Sequence, residues 1–206
     1  AISTANKSRG KSYGTVHSII LAPGIHQVDE YTSVFGYDLN YVEVTVPLLI
    51  QGHPDQTNNP TVIHGGFLIE GLRDTTGKTC VHIQNVTITH SFDSGIYAFH
   101  GLPVHVTNVT IVDCEGRGMC CQGTTGEFSG TILRCGMSGL SARGCGEITV
   151  SCQSDGLNLD STEVTQFDAE GLLVHTQVTG CTCPLYIHPN RTRIESNCPA
   201  PRSLPP

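Results

Sequence analysis

Arg143, Asp160 and His175 each stand four residues after a glycine (Gly139, Gly156 and Gly171), and Asp155 and Glu170 each stand one residue before one. If those glycines mark equivalent places in a repeat, the first three side chains meet on neighbouring strands about 4.8 Å apart. A carboxylate beside a guanidinium and an imidazole suits a carbohydrate or a cation. Asp155 and Asp160 are then the only catalytic candidates for acid–base work on a sugar. The plainer reading of the same residues is a charge ladder on a solvated face, which adds little stability. Two residues after each glycine come Tyr97, Cys120, Ser141, Asn158 and Leu173, a row with no acid, base or guanidinium.

Histidines and cysteines are the other reactive groups. His82 and His105 occupy matching places in two repeats and face outward if Val81 and Ile83 face inward. Two ligands rarely hold a metal ion, so exposed strand histidines are expected here and no metal site. No pair of Cys-x-x-Cys motifs exists to suggest structural zinc. No resident cofactor is expected, and Ca2+ is the one ion the acidic row would admit. Cys114, Cys135 and Cys152, each four residues before a repeat glycine, are expected to stack inward with Ser91 and Phe167. Neighbouring Cα atoms about 5 Å apart lie within disulfide range, but parallel side chains suit the required dihedral poorly, so a bridge there stays open. Cys181, Cys183 and Cys198 flank the end of the repeats and a proline-rich tail. A bridge from Cys198 to Cys181 or Cys183 would pin that tail.

The elements that must position these groups are written in a repeat. Val81-His82-Ile83-x-Asn85-Val86-Thr87-Ile88 returns as Val104-His105-Val106-x-Asn108-Val109-Thr110-Ile111, and a glycine follows each closing isoleucine at seven residues. The cadence continues from Ile132 to Gly139 and from Val164 to Gly171, and from Ile148 to Gly156 with one residue inserted. The alternation of apolar residues slips at Asn85, which marks a corner where asparagine tolerates left-handed backbone geometry. Each repeat reads strand, asparagine corner, strand, loop, then a third strand opened by glycine. Three short parallel strands per turn make a β-helix. Asn85 and Asn108 should stack inward as an amide ladder, which predicts that neither Asn-Val-Thr sequon carries a glycan.

The chain of 206 residues has 23 glycines, no tryptophan and few charged residues, which favours one β-rich, turn-rich unit. Beyond the basic arm Lys7, Arg9 and Lys11, residues 12–206 hold eight basic against eighteen acidic groups, a net of −10. That argues against nucleic-acid binding, where phosphates want a basic face. No apolar run reaches the length of a membrane span. Ten cysteines and four sequons (Asn6, Asn85, Asn108 and Asn190) point to a secreted or extracellular-surface protein, with Asn6 and Asn190 the expected glycan carriers. A start at Ala1 fits a processed mature chain.

Leu21-Ala22-Pro23-Gly24-Ile25, Leu48-Leu49-Ile50-Gln51-Gly52 and Thr61-Val62-Ile63-His64-Gly65-Gly66, together with the Asn-Val-Thr-Ile repeats, resemble the pectin-lyase-like right-handed parallel β-helix superfamily over roughly residues 16–178. The resemblance implies an all-β solenoid of roughly seven to eight coils. Residues 1–15 form an N-terminal arm, 16–180 the β-helix and 181–206 a Cys/Pro-rich cap and tail. The superfamily's enzyme motifs are missing. Gln153-Ser154-Asp155 matches one hydrolase element in its aspartate alone, with no Asp-Asp pair, Gly-His-Gly or Asp-Pro-His-Glu. The resemblance therefore implies a non-catalytic structural or surface module, working by carbohydrate binding or by self-assembly through the helix ends. The alternative is a small polysaccharide-active lyase or glycoside hydrolase.

Overall fold

The computed structural model describes residues 17–29, 31–54, 59–71, 79–143 and 147–150, and the backbone of three later strands, Gln177–Thr179, Cys183–Ile187 and Arg193–Ser196. Among these residues the chain is all-β and without helix, and nearly all of its strand pairing is parallel. The strands are β1 (Ser18–Leu21), β2 (Gly24–Gln27), β3 (Thr32–Val34), β4 (Tyr37–Leu39), β5 (Tyr41–Val44), β6 (Leu49–Gly52), β7 (Thr61–His64) and β8 (Gly66–Gly71). They continue as β9 (Val81–Gln84), β10 (Thr87–Thr89), β11 (Ile96–Gly101), β12 (Val104–Val112), β13 (Met119–Gln122), β14 (Thr125–Leu133), β15 (Ser138–Arg143) and β16 (Glu147–Val150). The last three are β17 (Gln177–Thr179), β18 (Cys183–Ile187) and β19 (Arg193–Ser196).

Parallel pairing arranges them in three rows. One runs β1, β6, β9, the first half of β12, the first half of β14, β16 and β19. The second runs β2, β7, β10 and the second halves of β12 and β14, then β17. The third is a separate sheet, β5, β8, β11, β13, β15 and β18. Long parallel sheets of this kind are compatible with a β-solenoid. Among the described strands the one antiparallel pair, the β3–β4 hairpin, packs Val34 and Leu39 against Tyr41, Leu68, Tyr97 and Cys120.

The repeat explains both the corner and the core. Val81 and Ile83 are buried, His82 is exposed, and Val86 and Ile88 are buried again, so the inward phase changes at Asn85. Asn85 and Asn108 adopt φ of 56° and 52°, the left-handed conformation that asparagine accepts more readily than most residues. The Asn108 Nδ2 donates to Asn85 Oδ1 at 2.9 Å, so the amide ladder exists. Its direction differs from the expectation: Asn108 is exposed and Asn85 half-buried. The left-handed turn swings the side chain out of the corner while its flanking valines and isoleucines fill the interior.

A second left-handed corner follows the second row, at Gly65, His90, Asp113 and Arg134. There the Arg134 guanidinium grips the Asp113 carboxylate twice, at 2.7 and 2.8 Å, and holds that carboxyl below its usual range. This corner escapes a sequence reading because its residue type changes at every repeat.

Inside, like stacks on like. Ile63, Ile88, Ile111 and Ile132 lie in register, as do Phe67, Ile96, Met119 and Leu140. Where a large side chain enters, a glycine makes room: a Cβ on Gly126 would meet the Met119 methyl at 2.5 Å and Cys121 Sγ at 2.7 Å. Ser91, Cys114 and Cys135 are buried as expected, while Cys152 lies outside the described residues. None of Cys80, Cys114, Cys120, Cys121 and Cys135 is in a disulfide, so the described members of the inward stack, Cys114 and Cys135, are not bridged to each other.

The later repeats depart from the glycine cadence. Ile148 pairs with Gly126 in the first row, while the neighbour of Ile132 is Val178 and that of Leu140 is Leu185. The next strands beside the second half of β14 and beside β15 thus come from residues 177–187. The cadence glycines Gly156 and Gly171 lie outside the described residues.

Candidate functional site

The third row carries an apolar cluster on the face turned away from the core. Register places Glu43, Leu68, Tyr97, Cys120 and Ser141 in one line across β5, β8, β11, β13 and β15. A parallel line two residues on contains Glu70, Phe99, Gln122 and Arg143. Alternation along each strand puts these lines on one face.

Between this face and the β3–β4 hairpin lies a cleft of about 340 Å³, lined by Thr32, Ser33, Phe35, Glu43, Tyr97 and Phe99 among others. Three rings define it. Phe35 at the hairpin tip meets Phe99 edge-on with centroids 5.7 Å apart, and Phe99 lies 5.8 Å from Tyr97. Phe35 remains 70% exposed, held out by a left-handed turn at φ 51°, and the neighbouring Tyr37 and Tyr31 are also exposed. Glu43 and Glu70 bring two exposed carboxylates to the same cleft. The Tyr97 hydroxyl donates to Gln122 Oε1 at 2.8 Å, and burial pushes its pKa up to about 12, so it stays a neutral hydroxyl.

On the same face, a polar bracket joins β5 to the loops before β11 and β13. The Tyr41 hydroxyl donates to Asp93 Oδ2 at 3.1 Å and accepts from the Ser94 amide at 2.9 Å. Asp93 also pairs with Arg117 at 3.6 Å. Tyr41 lies across Gly66, where a Cβ would meet the tyrosine ring and the Ser94 carbonyl, both at 2.6 Å. Burial raises the Tyr41 pKa far above the ordinary tyrosine range.

A larger space of about 740 Å³ opens beside it, lined by Leu21, Val42, Ile63 and Phe67 as well as hairpin residues. Its lining mixes the core residues Ile63 and Phe67 with exposed ones such as Gln27, Asp29 and Tyr31, whereas the smaller cleft brings three rings together.

Of the residues singled out from sequence, Arg143 ends β15 beside Gln122 and is half-buried. Asp155, Asp160, Glu170 and His175 lie outside the described residues, and the strand on the open side of β15 is β18. Asn6, Asn190, Cys181 and Cys198 also lie outside them, while Cys183 belongs to β18 opposite Ser138. His82 faces solvent and His105 is partly exposed, as expected. The cleft itself was hidden because Phe35, Glu43, Glu70 and Phe99 come from a hairpin and three different repeats. The available signal was the pair of aromatics around Phe35-Gly36-Tyr37, a turn that exposes rings without burying them. The chain matches no protein-family model, no curated protein and no solved structure.

Proposed function

We propose that this chain is a secreted, non-catalytic surface module, a right-handed parallel β-helix of the pectin-lyase-like kind with roughly seven to eight coils, which holds a carbohydrate in the Phe35–Phe99 cleft. Three parallel rows connected in chain order support the helix, and strand twist makes such crossovers right-handed. Exposed rings beside carboxylates and a neutral tyrosine hydroxyl carry the ligand class. The apolar faces of a sugar ring stack on aromatics while its hydroxyls take polar partners. The net negative charge favours a neutral glycan over a polyanion.

Calorimetric titration with neutral oligosaccharides tests this. Phe35→Ala and Phe99→Ala should each weaken binding about tenfold, or about 1.4 kcal/mol. Equal affinity in both variants and the parent would remove the cleft from the proposal.

One observation favours a hydrolytic reading: Glu43 and Glu70 line the same cleft, and sugar hydrolysis uses paired carboxylates. In that case reducing ends accumulate with the parent protein and stop with Glu43→Gln. Binding without new reducing ends leaves the module reading standing.

A further inference from the structure

On the first row, away from the cleft, Cys80, His82 and His105 bring three ligand atoms within 4.8 Å of one another. The arrangement follows from strand geometry. Cys80 and His82 are two residues apart, the spacing that puts both on one face of an extended chain. His105 is the in-register partner of His82 on β12, and Glu127 is the partner of His105 on β14. The four groups thus form an L on the outer surface, one arm along the chain and the other across three strands.

We propose that Cys80, His82 and His105 bind a borderline divalent transition-metal ion, Zn2+ foremost, with Glu127 as a positioning residue. The Cys80 sulfur already lies 2.9 Å from His82 Nε2. Zinc–sulfur and zinc–nitrogen bonds of about 2.3 and 2.0–2.1 Å put tetrahedral ligand atoms roughly 3.5 Å apart. The three groups reach that spacing by side-chain adjustments of about an ångström. Thiolate and imidazole select zinc, cobalt or copper over calcium and magnesium, which take oxygen ligands. His105 Nδ1 faces Glu127 Oε2 at 3.5 Å, which leaves its other nitrogen for the ion. A carboxylate behind a ligating histidine fixes the ring and its tautomer. Three protein ligands leave the fourth position to water.

Binding exchanges one bond for another: the metal–sulfur bond forms as the Cys80 S–H bond breaks, and the proton leaves to solvent.

The test is titration of the reduced, chelator-stripped full chain with Co2+, followed by displacement with Zn2+. One equivalent should produce a thiolate-to-cobalt charge-transfer band and the intense visible bands of a tetrahedral ion, with release of one proton. Cys80→Ser should abolish the charge-transfer band, and His105→Gln should weaken binding more than tenfold. Glu127→Gln should weaken it 10- to 100-fold. Far-UV circular dichroism of each surface variant should match the parent. A silent titration, a band that survives Cys80→Ser, or unchanged affinity in His105→Gln would overturn the assignment.

Discussion

At the scale of single residues, Tyr41 shows how one strand side chain ties down a loop, the one between β10 and β11. Its hydroxyl satisfies both the Asp93 carboxylate and the buried Ser94 amide. Tyr41→Phe leaves that amide unpaired, and we expect a loss of about 1–3 kcal/mol in urea unfolding. Tyr97→Phe removes only the bond to Gln122, so its cost should be smaller, about 1 kcal/mol. Tyr97 also contributes to the alkaline limit. Tyr97 ionises near 10 when unfolded and near 12 when folded, so between those values the unfolded chain holds fewer protons. The Tyr97 contribution is therefore intact below pH 10 and is lost as pH rises through that window, while the buried thiols Cys120 and Cys121, also raised by burial, begin the alkaline decline earlier. Tyr97→Phe should flatten the decline, seen as a smaller shift of thermal midpoint between pH 9 and about 11.5.

At the scale of elements, the corner and the stacked strand have separate energetics. Asn85→Val places a β-branched residue in the left-handed conformation and should cost about 1–2 kcal/mol. Asn108→Gly keeps the conformation accessible and should cost less than Asn85→Val by the same chemical denaturation. Ile111→Ala, in the middle of the isoleucine stack, should cost about 2–5 kcal/mol because strands on both sides hold the cavity open. Much of this architecture was legible beforehand, since the apolar phase change at Asn85 marks two short strands and the corner between them. The amide ladder was legible too, but its outward direction was not, because alternation says nothing about where a corner residue points. Beyond Ile148 the cadence does not foretell the described strands, and its glycines Gly156 and Gly171 lie outside the described residues. Pairing is decided by which strand fills the next place in the sheet, and β17 and β18 do so from some thirty or more residues further along. The aromatic cleft and the Cys80–His82–His105 group depend on cross-strand register, which only the folded sheet supplies.

At the scale of the whole molecule, the proposed solenoid makes stability a sum over neighbouring levels of the parallel rows, so opening can begin locally. The buried thiols turn that property into something countable. Cys114, Cys121 and Cys135 are at most 2% exposed, whereas Cys80 is half-buried. With a soluble thiol reagent, Cys80 should be modified promptly and the other three only when their repeats part. Peptide mapping over time would then rank the repeats by opening free energy, and equal rates at all four thiols would mean that they share one exposure. Because each buried sulfur belongs to a known level of the stack, the molecule carries a set of internal clocks. Their order would show from which end it unzips.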